Sequence, residues 1–296
     1  MDVIPHYVYY ILIFISGTFF GSFLNLVSDR LINGGSIFFG RSQCDFCKKP
    51  LGVKNLIPVF SYIVQRGKCS FCKEKLSMYY PISEISSGFF ITLAAYISGL
   101  ISMGRLKNVW DFIFISIIFS VFIIIFLTDL KYYLIPDIVM YVGIISVALF
   151  LIGGYIIEYL NLKNKLSADE FGVYLIKAGY LDNFLESALE VLGITIISAL
   201  CIALFFWFLV WITKERGMGA GDIKLGLLIG LFNGFPGNVI AIFLGFMIGA
   251  IASVYMILIK KKTMKDTVPF GPFLIIGSLI SLLYSPYILN WYINLL

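Results

Sequence analysis

Two aspartates, Asp129 and Asp222, lie at the edges of long apolar segments of this chain. An ionisable side chain beside hydrocarbon is costly unless another group compensates it, so each position is a functional candidate. Two carboxyl groups that share one proton can hydrolyse an amide, because the ionised member accepts a proton from water while the protonated member polarises the carbonyl. The two aspartates therefore predict acid–base hydrolysis without a covalent intermediate.

Asp222 closes the tetrapeptide Gly-Ala-Gly-Asp, in which Gly219 and Gly221 precede the carboxyl group. Because glycine has no Cβ, it permits positive φ and lets an extended peptide or a neighbouring helix approach the backbone closely. The alternative interpretation is a glycine turn that starts a helix, with Asp222 as its N-cap. For Asp129 and the nearby Asp137, the alternative is a solvated carboxylate in the loop between two spans. For Asp137, capping of the following helix is favoured over catalysis.

Four cysteines form two C-x-x-C pairs, Cys44 with Cys47 and Cys69 with Cys72, and 21 residues lie between the pairs. Four thiolates suit tetrahedral zinc, and such a zinc is structural because no position remains for water. The interval is slightly longer than the common one of about 15–20 residues. A lobe of this size needs the metal to hold its fold. Unmetallated or redox-active thiols are the alternative.

Other hydrolytic mechanisms are excluded by the histidine count. The chain has one histidine, His6. A zinc protease of the H-E-x-x-H type needs two histidines. A Ser-His-Asp triad would have to use His6, and no G-x-S-x-G motif accompanies it.

Composition indicates what must position these residues. The chain has 296 residues, of which 60% are hydrophobic and 13% charged, and its mean hydropathy is +0.95. A soluble domain does not have this composition. With about 20 apolar residues per crossing, the sequence predicts eight spans at 7–28, 83–103, 109–128, 138–157, 188–213, 223–235, 238–259 and 272–294.

The basic residues predict the orientation. Under the eight-span arrangement, the loops after spans 1, 3, 5 and 7 hold or border most of the 22 basic residues, including the run at 260–262. Those loops are expected in the cytoplasm and both termini outside. The net charge of +5 reflects attraction to anionic lipid, and no nucleic-acid partner is expected. Because two spans separate Asp129 from Asp222, both carboxyl groups are expected on the cytoplasmic face, as is the cysteine loop.

Over nearly its whole length the chain resembles the type IV prepilin peptidases, also called leader peptidase/N-methyltransferases. The matching segments occur in the same order as in that family. They are Gly21-Ser22-Phe23-Leu24-Asn25, Arg30, Arg41-Ser42, Asn55-Leu56-Ile57-Pro58, Arg66-Gly67, Tyr80-Pro81, Glu84, Thr128-Asp129, Ile135-Pro136-Asp137, Gly219-Ala220-Gly221-Asp222-Ile223-Lys224 and Pro269-Phe270-Gly271-Pro272-Phe273.

The resemblance implies removal of the basic leader from prepilins or pseudopilins at the cytoplasmic face of the bacterial inner membrane. It also implies methylation of the new N-terminus with S-adenosylmethionine. Asp129 and Asp222 take the places of the family's catalytic aspartates. The cysteines correspond to a zinc-binding domain linked to methylation, and Gly88, near Glu84, aligns with a glycine associated with that step. Glu84 and Gly88 are the candidates for cofactor binding.

The resemblance has two departures and leaves alternatives open. The first cysteine pair reads Cys-Asp-Phe-Cys where many members have Cys-Pro-x-Cys, and Ser28-Asp29-Arg30 replaces a more apolar sequence before the arginine. No glycine loop of the Rossmann type is present, so a peptidase without methyltransferase activity is one alternative. An ion-coupled transporter that uses the two aspartates is another.

Together these observations predict an all-α polytopic membrane protein with a small cytoplasmic zinc-binding lobe held by the four cysteines. The expected divisions are a first transmembrane helix at 1–28, the zinc-binding domain at 29–82 and a multi-span peptidase domain at 83–296. The expected partners are the lipid bilayer and prepilin or pseudopilin precursors.

Overall fold

The computed structural model describes residues 6–36, 40–44, 46–102, 105–106, 108–214, 218–259 and 268–295. The basic run at 260–262 lies outside these ranges. The helices are α1 (His6–Asn33), α2 (Phe60–Val64), α3 (Tyr79–Ile97), α4 (Val109–Tyr132), α5 (Asp137–Ser167), α6 (Glu170–Lys177), α7 (Tyr180–Thr213), α8 (Ala220–Asn233), α9 (Gly237–Leu258) and α10 (Gly271–Ile293). A two-stranded antiparallel ribbon, β1 (Ile101–Ser102) and β2 (Arg105–Leu106), joins α3 to α4.

Six of the described helices are long and apolar enough to cross a bilayer, namely α1, α4, α5, α7, α9 and α10. The chain is therefore an all-α, multi-pass membrane protein, as predicted. Two predicted spans correspond to α3 and α8, which fall outside this set; α8 has only 14 residues. The eight-span arrangement stays a prediction.

The chain divides into two compact units, residues 1–139 and 140–296. In the first unit, α1 and α3 pack antiparallel through small residues. A Cβ on Gly88 would lie 2.7 Å from Cγ2 of Thr18, and one on Gly21 would lie 2.6 Å from Cβ of Ser87. Such contacts require glycine, because they bring the two backbones close together.

Helix α4 packs against α3 in the same unit and runs antiparallel to it. The rings of Phe90 and Phe119 are 5.8 Å apart, and the hydroxyl of Tyr79 donates to the carbonyl of Leu127 at 3.4 Å. Consequently α1 and α4 are parallel and their C-terminal ends lie together, with α3 returning the chain between them.

The second unit is built on two antiparallel helix pairs, α7 with α8 and α9 with α10. Phe206 of α7 is fully buried over Gly226 of α8. Asn238, also fully buried, donates to Ser198 Oγ at 2.8 Å and to the carbonyl of Gly230 at 3.2 Å. These two bonds, made by the amide NH₂ group, connect the start of α9 to α7 and to α8, respectively.

Candidate active site and metal centre

Asp129 lies in the last turn of α4, the most deeply packed helix of the first unit. Residues 118–125 and 127–129 of this helix are all buried, and Asp129 is 6% exposed. The helix ends at Tyr132, and the next residue, Tyr133, has a left-handed φ of 56° and donates its N–H to the carbonyl of Asp129 at 3.0 Å. The carboxyl group is thus placed at the end of an apolar helix, as the sequence predicts.

Asp222 lies in the first turn of α8 and is 7% exposed. The N–H of Gly219 donates to Asp222 Oδ2 at 3.0 Å, while the N–H of Asp222 donates to the carbonyl of Gly219 at 3.1 Å. The N-cap is therefore Gly219, and Asp222 is the third helical residue. A negative charge in the first turn is favoured by the helix dipole, so this position stabilises the ionised carboxylate.

Gly219 does not use the positive φ that glycine permits, since its φ is −90° and its ψ 162°. Among the described residues, a Cβ there would have only the N of Gly221 within 4 Å, at 3.9 Å. Glycine at this position keeps the backbone next to Asp222 uncovered. Of the two properties that could explain a glycine at this position, positive φ and close approach of another backbone, only close approach remains.

Asp137 is the first residue of α5 and is exposed. A carboxylate in the first turn of a helix is favoured by the helix dipole, so Asp137 stabilises the start of α5. It differs in burial from Asp129 and Asp222, which are the two nearly buried aspartates of the described chain. The prediction that Asp129 and Asp222 are the catalytic residues stays a prediction.

The four cysteines of the two C-x-x-C pairs come together in the first unit. Their Sγ atoms all lie within 4.8 Å of one another, and Cys44 Sγ is 3.9 Å from Cys72 Sγ. None of these thiols is in a disulfide. A tetrahedral zinc with Zn–S bonds of about 2.3 Å has sulfur–sulfur edges of about 3.8 Å, so the cluster fits this metal.

Both C-x-x-C pairs have the same local geometry. The N–H of Lys48 donates to the carbonyl of Cys44, and the N–H of Lys73 donates to that of Cys69. Each lysine has positive φ, 56° and 60°. The repeated sequence C-x-x-C-K thus forms two equal turns that present their sulfur atoms to one point.

Backbone N–H groups of Cys72 and Phe71 lower the pKa of the Cys69 thiol to about 6. For Cys72, the N–H of Glu74 lowers the pKa, but burial and the neighbouring sulfur atoms outweigh it and raise the pKa to about 11. The Cys69 thiol therefore ionises readily, and a thiolate is the form that binds a metal ion.

Glu84 and Gly88 lie one turn apart on α3 and have different surroundings. Glu84 Oε2 accepts the N–H of Val59 at 2.7 Å, and Glu84 lines a cavity of about 640 Å³. Gly88 packs against Thr18 and the carbonyl of Phe14 on α1. Glu84 therefore lines the cavity, whereas Gly88 lets α1 and α3 approach, and a part for either residue in cofactor binding stays a prediction.

Sequence reasoning did not identify the link between Asp29 and Lys131. Lys131 Nζ lies 2.7 Å from Asp29 Oδ1, and the hydroxyl of Tyr132 donates to the same oxygen at 2.9 Å. The partners are 102 residues apart in the sequence, so no local pattern could indicate the contact. The only signal was the acidic residue before Arg30.

Comparisons with known proteins agree with this arrangement. Residues 15–98 match the bacterial peptidase A24 N-terminal domain, and residues 116–254 match the type IV leader peptidase family. The first match contains the four cysteines and the second both aspartates. No solved structure gives a significant match.

The chain is also similar to curated prepilin leader peptidase/N-methyltransferases. It is 27% identical to that of Bacillus subtilis strain 168, over 96% of this chain and 98% of the relative. It is 26% identical to that of Aeromonas hydrophila, over 97% of this chain and 95% of the relative. It is 28% identical to that of Pseudomonas putida, over 82% of this chain and 72% of the relative. The resemblance seen in the sequence is confirmed, and the chain belongs to the type IV leader peptidase family.

Proposed function

We propose that Asp129 and Asp222 are the catalytic pair of this prepilin peptidase. In this proposal it removes the leader from prepilins or pseudopilins at the cytoplasmic membrane face and then methylates the new N-terminus. The observation that carries the proposal is that both carboxyl groups are nearly buried at the ends of apolar helices, inside the segment that matches the peptidase family. Burial of an acidic side chain at such a position is expected only where it has a task.

Topology supports a common face for the two carboxyl groups. Two candidate spans, α5 and α7, separate Asp129 from Asp222. An even number of crossings returns the chain to the same side, whether α3 and α8 cross or not. Under the eight-span arrangement, in which α3 crosses, the loops on that side hold the excess of Lys and Arg, which supports a cytoplasmic location for both carboxyl groups.

The chemistry follows from two carboxyl groups that share a proton. Like charges at one site cannot both ionise readily, so their titrations separate. The ionised member accepts a proton from the attacking water while the protonated member donates to the scissile carbonyl oxygen. Asp222 lies in the first turn of α8, where the helix dipole favours a negative charge, so Asp222 is the ionised member in this proposal. Asp129 is then the carboxylic acid.

Cys44, Cys47, Cys69 and Cys72 would hold a structural zinc ion. Four sulfur ligands leave no position for water, so the metal would keep the lobe folded and take no part in hydrolysis. Metal analysis of the purified protein should give about one zinc per chain, and Cys69→Ser should lower this ratio. An unchanged ratio would contradict the assignment.

The names of the relatives support methylation as a second activity, because they are called leader peptidase/N-methyltransferases. The methyl donor in this proposal is S-adenosylmethionine. A peptidase without this activity is the alternative. An ion-coupled transporter gains no support from the four-cysteine cluster, which transport would not require.

The test uses the purified full-length protein in detergent with a purified prepilin and S-adenosylmethionine. Wild type, Asp129→Asn and Asp222→Asn are compared, and product masses are recorded. Each Asn variant should lower cleavage by about 100-fold or more. Asp111→Asn, at the other end of α4, is the matched control and should cleave normally.

Three outcomes separate the parts of the proposal. A shortened product with one added methyl group from wild type, and none from the Asn variants, supports both activities. A shortened but unmethylated product keeps the peptidase and removes the methyltransferase. Cleavage that survives either Asn substitution refutes the aspartyl mechanism.

A further inference from the structure

The part of the chain between α1 and α3 that contains the four cysteines, the cysteine lobe, has a short helix whose apolar face points outward. In this helix, α2, the side chains of Phe60, Ile63 and Val64 are 60%, 66% and 62% exposed. Their i, i+3, i+4 spacing places them on one face, which we call the exposed face of α2. The polar residues in or next to the helix are less exposed and line the cavity, namely Ser61, Tyr62 and Gln65. A helix surrounded by water has the opposite arrangement, and grouped apolar side chains on a surface mark an interaction site.

Contacts with α3 place α2 at the level of the membrane surface. The N–H of Val59, the N-cap of α2, donates to Glu84 Oε2 at 2.7 Å, and the hydroxyl of Tyr62 donates to Sδ of Met78 at 3.0 Å. Glu84 lies about 8 Å along α3 from its start at Tyr79, and helical side chains point back toward the N-terminal end. In the eight-span arrangement α3 crosses the membrane, and its length of about 28 Å is all needed for the crossing. Helix α2 then lies level with the boundary between headgroups and hydrocarbon.

Lipid also meets α3 at this level. Ile82, Ile85 and Phe89 of α3 are 57%, 45% and 57% exposed, and their i, i+3, i+7 spacing places them on one face of the helix. Two of these residues lie on either side of Glu84 in the sequence. The attachment point of α2 is therefore beside a helix face that is suited to acyl chains.

The lobe around α2 is strongly basic. The segment 41–78 has eight basic and two acidic residues. Lys54, Arg66 and Lys68 precede or follow α2 closely in the chain, and all three are exposed. Lys and Arg side chains close to a membrane are attracted by anionic headgroups. An acidic protein would also attract these charges, but it would not lie at the level of the hydrocarbon boundary.

We infer that the exposed face of α2 docks on the anionic lipid surface of the leaflet next to the lobe. The three apolar side chains enter the boundary between headgroups and acyl chains, and the basic residues beside α2 contact lipid phosphate groups. This docking holds the cysteine lobe against the membrane. The inference goes beyond the proposed peptidase activity and does not depend on the catalytic pair.

The test places a fluorescent reporter on the exposed face of α2. Full-length wild type, Ile63→Trp and Phe71→Trp are reconstituted in nanodiscs of phosphatidylcholine mixed with phosphatidylglycerol. The acyl chains are either plain or brominated near the headgroup, and bromine quenches tryptophan on contact. Brominated lipid should lower the fluorescence that Ile63→Trp adds by about twofold or more. Phe71→Trp, at an exposed aromatic residue in the turn of the second cysteine pair, is the matched control and should be quenched much less. Wild type gives the background of the four native tryptophans.

A second comparison tests the charge of the lipid. Quenching of Ile63→Trp should fall in nanodiscs of phosphatidylcholine alone, and it should fall at high salt because salt screens the attraction. Adding Lys54→Gln and Arg66→Gln to Ile63→Trp should have the same effect. If Ile63→Trp lowers the thermal unfolding temperature, Val64→Trp replaces it as the reporter on the same face.

Three results would overturn the inference. Quenching no stronger than the wild-type background would leave the exposed face of α2 to a protein partner. Equal quenching of Ile63→Trp and Phe71→Trp would show that this face is not the one that meets lipid. Equal quenching of Ile63→Trp with and without phosphatidylglycerol would exclude a preference for anionic lipid. None of these measurements uses prepilin cleavage, so their failure is distinguishable from failure of the proposed function.

Discussion

The carboxylate of Asp222 is oriented by a backbone group three residues earlier in the chain. The N–H of Gly219 donates to it, and among the described residues only the N of Gly221 lies within 4 Å of where a Cβ on that glycine would be. An exposed backbone beside a catalytic candidate is a place where a substrate peptide can lie, because a Cβ there would hold it away. The glycine is thus better explained by substrate approach than by the fold.

Gly219→Ala should separate these two explanations. The φ of −90° is allowed for alanine, and the N–H to Asp222 is retained. We expect stability to change by less than about 1 kcal/mol and kcat/KM for prepilin cleavage to fall about tenfold or more. Thermal unfolding in detergent and a cleavage assay measure the two quantities.

Gly226→Ala in the same helix is the matched control. A Cβ there would lie 2.5 Å from Cδ2 of Phe206, and overpacking of this kind costs about 1–3 kcal/mol. This variant should therefore lose stability. If Gly219→Ala cleaves normally, close approach of the substrate at this glycine is wrong.

The identity of the N-cap shows what residue patterns can and cannot predict. Glycine followed by aspartate predicts a helix start, and α8 does begin there. Whether Asp222 caps the helix or sits in its first turn depends on where the backbone turns. Because Gly219 and Gly221 are both permissive, the sequence does not choose between these positions.

At the scale of secondary-structure elements, an ion pair connects the C-terminal ends of α1 and α4. Lys131, at the end of α4, pairs with Asp29 of α1, and its Nζ lies 5.1 Å from the ring centre of Tyr132. A partly exposed ion pair contributes little to stability, about 0–1 kcal/mol. Its greater effect is to hold the turn that carries Asp129.

Breaking this pair should lower catalysis more than stability. For Asp29→Asn and Lys131→Met we expect unfolding free energies within about 1 kcal/mol of wild type. We expect kcat for cleavage to fall about three- to tenfold with KM less changed, because the position of Asp129 is loosened. The double variant should be no worse than either single one.

The control is Lys165→Met, the same substitution in the last turn of α5, which should leave kcat unchanged. Strictly additive effects in the double variant would show that the two residues act separately. Unchanged kcat in both single variants would show that the pair does not position Asp129.

Helix bounds were predicted less well than helix positions. Spans at 138–157 and 188–213 were predicted, whereas α5 extends to Ser167 and α7 begins at Tyr180. Hydropathy marks where a helix meets lipid and not where its hydrogen bonds end. The polar residues after 157 continue the same helix, so the pattern alone underestimates its length.

At the scale of the whole molecule, the number of membrane crossings depends on whether α3 is a span. The polar residues of α3 explain why hydropathy alone does not decide this. Ser83 bonds to Asn25 of α1, and both are buried. These residues lower the mean hydropathy of α3 although they face a neighbouring helix. With 19 residues, α3 is about 28 Å long, close to the hydrocarbon thickness of about 30 Å.

The antiparallel packing of α3 between α1 and α4 predicts that it crosses the membrane. Val53 of the cysteine lobe and Trp110 at the start of α4, 82% and 77% exposed, should then lie on opposite faces. In spheroplasts, a membrane-impermeant maleimide should label Trp110→Cys and should label Val53→Cys only after permeabilisation. Wild type gives the background from the native cysteines. Equal labelling of the two variants would mean that α3 does not cross, and the reverse pattern would place the cysteine lobe outside, against the excess of basic residues in its loop.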